Sequence, residues 1–234
     1  MSGHSKWATI HRQKGIKDAV RGQLFSKLAR AITIATKMGG GESLDGNYRL
    51  KIIIDKARVA NMPKENIERA ISKGQTAEEL FEITYEGFGP SGVGILVEAA
   101  TDNKNRTSSE IKNIFEKGGG SLAGPGAVSF NFKSKEMLVV EKQTDTESQM
   151  LSLIDLRVDD VEEVDGALDI YVEPSLGRSI KEKVESLGMK VISSELIQKP
   201  VNFISADEKE ITKIMSLLED LNNHGDVQKV FANI

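Results

Sequence analysis

The sequence predicts an α+β protein of three domains, on three observations. Apolar residues recur at helical spacing through the first third, strand-like patterns begin after Gly74, and elements between residues 135 and 199 follow a βαββαβ order. Residues 16–38 place Val20, Leu24, Leu28, Ala31 and Ala35 at steps of three and four and run into Gly39-Gly40-Gly41, the pattern of a helix and its stop. At roughly 100° per residue, Lys27, Arg30 and Lys37 project away from that stripe. Lys17 and Arg21 fall inside it, which calls for a break near Gly22 or for stems that snorkel. A second helix over about 47–61 buries Leu50, Ile53, Ile54 and Ala57. Pro63 then opens a third, with Ile67, Ala70 and Ile71 inward and Gly74 as its end.

Beyond Gly74 the pattern shifts. Residues 83–85 and 93–100 read as strands, 107–117 as a helix and 128–132 as a strand, which leaves a sheet incomplete. The next stretch gives a strand at 137–141, a helix at about 146–154, a strand to Val164, a hairpin at Asp165-Gly166, a strand at 168–172, a helix at 174–187 and a strand at 190–197. That order is the ferredoxin-like split βαβ. The tail supplies a strand at 201–204, a helix with Asp207 and Glu210 in capping-box spacing, and a strand at 227–232. Returning this tail to the incomplete sheet gives a basic helical domain at 1–74, a discontinuous α/β domain at 75–134 with 200–234, and an inserted ferredoxin-like domain at 135–199.

Overall charge conceals an asymmetry. The chain has 234 residues and a formal charge of -4, but residues 1–74 hold 15 basic and 6 acidic side chains, +9, leaving -13 on the remainder. Cysteine is absent, which excludes disulfides, thiol catalysis and cysteine-ligated metals and fits a reducing compartment. The opening residues lack the apolar core of a signal peptide, and no apolar run approaches the ~18–20 residues of a membrane helix, so the expectation is a soluble cytoplasmic protein.

Gly87-Phe88-Gly89-Pro90-Ser91-Gly92 spells the dinucleotide fingerprint, but a strand rather than a helix follows it and Pro90 removes an amide, so a hairpin loop is expected. Residues 118–126 are glycine-rich after a helix; they read as a C-cap and a flexible loop, with an anion nest as the less favoured alternative. His4, His11 and His224 are the only histidines and form no metal motif, while acidic pairs such as Asp159-Asp160 and Glu162-Glu163 read as solvated faces. No nucleophile, base, metal or cofactor motif assembles, so neither an enzyme nor a cofactor is expected.

The first third suits a polyanion. Lys6, His11, Arg12, Lys14, Lys17, Arg21, Lys27 and Arg30 stand with a single acid, Asp18, and Trp7 is the chain's only tryptophan. Lysine and arginine displace counterions from phosphates, arginine forks onto their oxygens, and tryptophan stacks on an unpaired base at ~1–3 kcal/mol. Arg49, Lys51, Lys56 and Arg58 extend the supply on the second helix. The competing reading is a basic surface balanced within the chain by its acidic remainder, with Trp7 as an apolar anchor.

A family likeness lies in the same residues. Gly3-His4-Ser5-Lys6-Trp7, Asp18-Ala19, Arg21-Gly22, Phe25-Ser26-Lys27-Leu28, Gly39-Gly40-Gly41, Asn61-Met62-Pro63-Lys64, residues 66–71, Tyr85-Glu86-Gly87, Thr101-Asp102-Asn103 and Asn105-Arg106-Thr107 together resemble the YebC/PmpR family. The chain departs from the usual pattern at residues 11–17, where relatives carry an alanine-rich basic run, and at Ser91, where they carry glycine. The resemblance implies a helical domain and two α/β domains, a non-enzymatic role in gene expression, and DNA-binding transcriptional regulation as described for bacterial relatives. Mitochondrial relatives act as translational activators, and the family has been linked to stalled ribosomes. By matching position it also implicates the arm at 3–7, the first helix, and Lys104-Asn105-Arg106. The expected function is a regulator that binds nucleic acid; a ribosome- or RNA-associated translation factor and a protein-interaction scaffold, with partners on the acidic domains, are the alternatives.

Overall fold

The structure, a computed structural model, describes residues 18–38, 46–76, 80–164 and 166–234. It divides into two compact units, Met1–Lys133 with Pro200–Ile234, and Ser134–Lys199. The first unit holds α1 (Asp18–Met38), α2 (Tyr48–Val59), α3 (Lys64–Thr76), β1 (Phe81–Phe88), β2 (Gly94–Thr101), α4 (Lys104–Lys117) and β3 (Ser121–Ala123). After the second unit, α7 (Glu208–Asn223) and β8 (Val227–Ala232) complete it.

Helix α1 runs unbroken through Gly22, so the break that Lys17 and Arg21 suggested does not occur within it. Leu28, Ile32 and Ala35 pack with Leu50, Ile54 and Ala57 of α2 and with Met62, Ile67 and Ala70 around α3. Asn47 caps α2 by accepting from Leu50 N and reaches back to donate to the Ala35 carbonyl, which ties the start of α2 to the end of α1. Gly74 does not end α3. A Cβ there would lie 2.6 Å from the Thr33 carbonyl oxygen and 2.7 Å from Thr36 Cβ, so its bare backbone is what lets α3 lie against α1.

The first sheet has the order β3-β1-β2-β8. Tyr85, Val97, Ile111, Phe115, Ile214, Leu217, Leu218 and Val230 form its core with α4 and α7. The tail thus supplies the strand beside β2, and Asp207 and Glu210 form the expected capping box. Two strand expectations fail. Residues 128–132 contribute a 3-10 turn at Ser129–Asn131 instead, and the strand that completes this sheet is Ser121–Ala123, inside the stretch read as a flexible loop. Residues 201–204 form no strand, because Val201 N and Ile204 N bond to different segments, at Asn131 O and Asn233 O, and no ladder builds up.

The second unit holds the remaining elements: β4 (Phe132–Glu141), α5 (Thr146–Asp155), β5 (Asp160–Val164), β6 (Ala167–Val172), α6 (Gly177–Ser186) and β7 (Val191–Pro200), the outer ends of β4 and β7 lying in the first. Its sheet order, β5-β6-β4-β7, is the ferredoxin-like one. Leu138, Val140, Leu153, Leu168, Ile170, Ile180 and Val184 form its core. Lys135 bonds Asp159 and Glu173, and Lys199 bonds Asp160 and Glu162 while lying over the Tyr171 ring at 3.5 Å. Those acids therefore serve the unit's own lysines, in addition to the solvated face expected of them. The architecture is α+β, an all-helical N-terminal part followed by two α/β layers, with the ferredoxin-like one inserted into the other.

Candidate nucleic-acid interface

The cations of the helical part and of the start of α4 fall into two sets. One set is turned inward. Arg30 Nη1 bonds Asp226 Oδ1 at 2.5 Å and donates to the carbonyls of Gly225 (2.8 Å) and Ala100 (3.2 Å) at the ends of β2 and β8. Arg106 Nη2, from the first turn of α4, meets Asp226 Oδ2 at 2.7 Å and Asp102 at 3.1 Å. Thr107 Oγ1 donates to Asp226 Oδ2 at 2.6 Å, and Asn103 caps α4 by accepting from Arg106 N. Asp226 is 5% exposed. Burial pushes its carboxyl up, yet Thr107, Arg106 and Arg30 outweigh burial and hold it down at about 2.

Two more cations belong to this set. Lys27 donates to the Asn222 carbonyl at the C-terminus of α7, where the helix dipole favours a positive charge. Burial, and then the charge of Lys56, lower its ammonium to about 8. Arg49 forks onto Glu82 near the start of β1. Arg30 and Lys27 therefore do not project from a free polar face. The helical wheel assumes one buried side, whereas α1 is covered on two, by α2 and α3 and by the β2–β8 end of the sheet. Ile34, 2% exposed, lies between Arg30 and Lys37 on the face taken as polar, and it is the sequence signal for that second buried side. Ile52 on α2 gives the same signal beside Arg49.

The other set is turned outward. Lys51 on α2 and Arg69 and Lys73 on α3 make no ion pair with any described residue, and Arg69 and Lys73 are exposed one helical turn apart. Sequence reasoning missed Arg69 and Lys73, although Arg69 falls within a family motif, because it stopped at the second helix. Arg58 is exposed and, among the described residues, pairs locally with Asp55 at 3.2 Å, a weak bond in solvent. Lys56 is half-buried on α2 beside Lys27. Lys104 is exposed, with Nζ 4.1 Å from the centre of the Phe81 ring. Lys6, Trp7, His11, Arg12, Lys14 and Lys17 lie outside the described residues; Arg21 belongs to α1, and its side chain lies outside them too.

The glycine stretches serve internal bonds. Residues 87–92 are the β1–β2 hairpin connection, with a 3-10 turn at Pro90–Gly92. Beyond Gly118, the C-cap of α4, the amides of Gly126, Val128 and Ser129 donate to the buried Glu86 carboxylate at 2.7–2.9 Å. A carboxylate of the chain itself occupies the place of an external anion. Glu110, His224 and Asp226 bring ligand atoms within 4.8 Å of one another, the arrangement of a cation site. Both Asp226 oxygens already face guanidinium groups, and His224 Nδ1 accepts from Asp226 N, so the two arginines supply the positive charge there. Among the described residues no helix is long and apolar enough to cross a membrane.

Comparison with known proteins agrees with this architecture. Residues 5–77 match the TACO1/YebC protein N-terminal domain, and residues 80–234 match the TACO1/YebC second and third domain. A "Probable transcriptional regulatory protein" of Chloroflexus aurantiacus is 45% identical over 240 residues, covering 100% of this chain and 95% of the relative. One of the same name from Syntrophus aciditrophicus is 41% identical over 238 residues, with the same coverage. A crystal structure of a conserved hypothetical protein from Aquifex aeolicus superposes with a TM-score of 0.85 at 40% identity, covering 94% of this chain and 93% of that one. Helical part, discontinuous sheet and inserted ferredoxin-like layer are thus those of a known family, and the chain belongs to the TACO1/YebC family.

Proposed function

We propose that this protein is a non-enzymatic, cytoplasmic regulator of gene expression that binds nucleic acid through the outward cations of its helical part, as a DNA-binding regulator of transcription. The observation that carries the reading is the pairing state of those cations. Lys51, Arg69 and Lys73 lack ion pairs among the described residues in a chain whose acids outnumber its bases. Phosphate neutralises such charges and releases counterions. The printed name of the relatives supports a role in transcription. Arg30, Arg49 and Lys27 act in this reading by fixing the helical part on the sheet, Arg106 by holding the Asp226 that Arg30 bonds, and Arg12, Lys14, Lys17, Arg21 and Trp7 add charge and a stacking ring.

The test is a titration of the full chain with a promoter-sized DNA duplex in excess nonspecific competitor, alongside cosedimentation with ribosomes. Salt-sensitive retention on the duplex is expected. Retention on ribosomes alone replaces the transcriptional reading by the translational one, and protein capture without affinity for nucleic acid replaces both by a scaffold.

A further inference from the structure

The first sheet has a second end, remote from the inward cations. The helical part contacts β1 through Arg49 on Glu82 and β2 through Arg30 on the Ala100 carbonyl. Register places Phe88 and Gly94 at the opposite end, about six strand steps or roughly 20 Å away. There Glu86, 7% exposed, takes the amides of Gly126, Val128 and Ser129. Burial alone pushes its carboxyl up, but those amides prevail and hold it below the usual range. The 3-10 turn Ser129–Asn131 is therefore pinned from beneath, and at its centre Phe130 is 74% exposed.

Asparagines bring further aromatics to the same place. Asn202 Nδ2 donates to Asn131 Oδ1, Asn233 Nδ2 donates to the Asn202 carbonyl, and Gly94 N donates to Asn233 Oδ1. This chain of bonds links the segment of Phe203, 48% exposed, to that of Phe130, and through Gly94 to its register partner Phe88, 39% exposed. A scattered exposed phenylalanine needs no explanation, but three on a braced loop cluster do. Charge selects the partner: residues 87–97, 117–133 and 201–206 contain no Asp or Glu, while Lys117 and Lys133 are exposed. In a chain with 29 acids after residue 74, these three stretches carry none, and exposed Glu116 adjoins them at Lys117.

We propose that Phe130 and Phe203, with Phe88 beside them, form a stacking platform for unpaired nucleobases, flanked by Lys117 and Lys133 for the adjoining phosphates. Every base presents a π-face, so such a platform is tolerant of sequence and selective for single strands. The inference rests on the nucleic-acid reading above and adds a second contact, one strand length from the first.

The full chain and its F130A/F203A variant are titrated by fluorescence anisotropy, at several salt concentrations, with a uridine oligonucleotide of about 20 residues, the matching thymidine oligonucleotide and a duplex. Circular dichroism checks that both proteins are folded. The double variant is expected to bind single strands about tenfold or more weakly, with unchanged duplex affinity and an unchanged slope of log affinity on log salt. Tighter binding of one oligonucleotide assigns the platform to RNA or to melted DNA, and either supports it. Unaltered single-strand affinity in F130A/F203A, while K51E/R69E/K73E loses binding, overturns the platform and leaves the helical reading standing. A wild-type chain that binds only duplex overturns the platform as well. A wild-type chain with no salt-sensitive affinity for any probe overturns the helical reading itself.

Discussion

Lys27, Arg30, Arg49 and Arg106 differ from Lys51, Arg69 and Lys73 in nothing that a charge count detects, yet the first four are bonded into the fold, while Arg69 and Lys73 are exposed and half-buried Lys51 holds no ion pair among the described residues. Arg30 and Arg106 share one buried carboxylate, and Lys27 closes the end of a helix. Lys51, Arg69 and Lys73 hold no such bond among the described residues. A cation already compensated by a buried acid gains little from phosphate and loses its partner in the exchange. An uncompensated one in solvent gives up only its counterions. The net charge of +9 on the first third is thus an upper bound on what nucleic acid meets, and local pairing decides the rest.

The largest effect expected from this contrast is on binding. Reversing the outward set in K51E/R69E/K73E should weaken nucleic-acid affinity by about ten- to a hundredfold at low salt, and should cut the salt slope by up to ~3, with little change in melting temperature. Next comes the inward set. Asp226→Asn leaves Arg30 and Arg106 facing a neutral amide, and urea unfolding of the full chain should show a loss of about 2–3 kcal/mol, with the salt slope retained. An equal loss of binding in D226N at temperatures where it is folded would erase the distinction between the two sets.

The smallest effects concern pH. Asp226 has a folded pKa held at about 2, below the ordinary 3.8, so its contribution is complete above about pH 5 and disappears as pH falls through that interval. Acid unfolding should therefore begin earlier in R30A than in wild type. For Lys27 the folded value of about 8 lies below the ordinary 10.5, so the unfolded chain binds more protons between them and stability rises with pH across that window. Differential scanning calorimetry should find this rise in the wild type and a smaller one in Lys27→Met.

Legibility in the sequence followed the number of faces each element buries. Helix α7 buries one face and is capped by Asp207 with Glu210, and both its position and its return to the first sheet were readable. The ferredoxin-like order was readable because Asp165-Gly166 and the two helices punctuate it. Helix α1 buries two faces, so the wheel correctly sent Lys27 and Arg30 away from the α2–α3 side but took that second side for a free one, with Ile34 as the overlooked warning. Residues 121–123 escaped as a strand because three residues flanked by glycines carry no alternation. The bonds of Asp226 to Arg30 and Arg106 join positions 196 and 120 residues apart, a separation that no spacing rule reaches.

The most direct test of the account is the salt dependence of nucleic-acid binding by three full-length proteins in parallel: wild type, K51E/R69E/K73E and D226N. The account predicts a steep slope for wild type, a clearly shallower one for the outward triple variant, and the wild-type slope for D226N despite its lower stability. A triple variant that binds with the wild-type slope would contradict it.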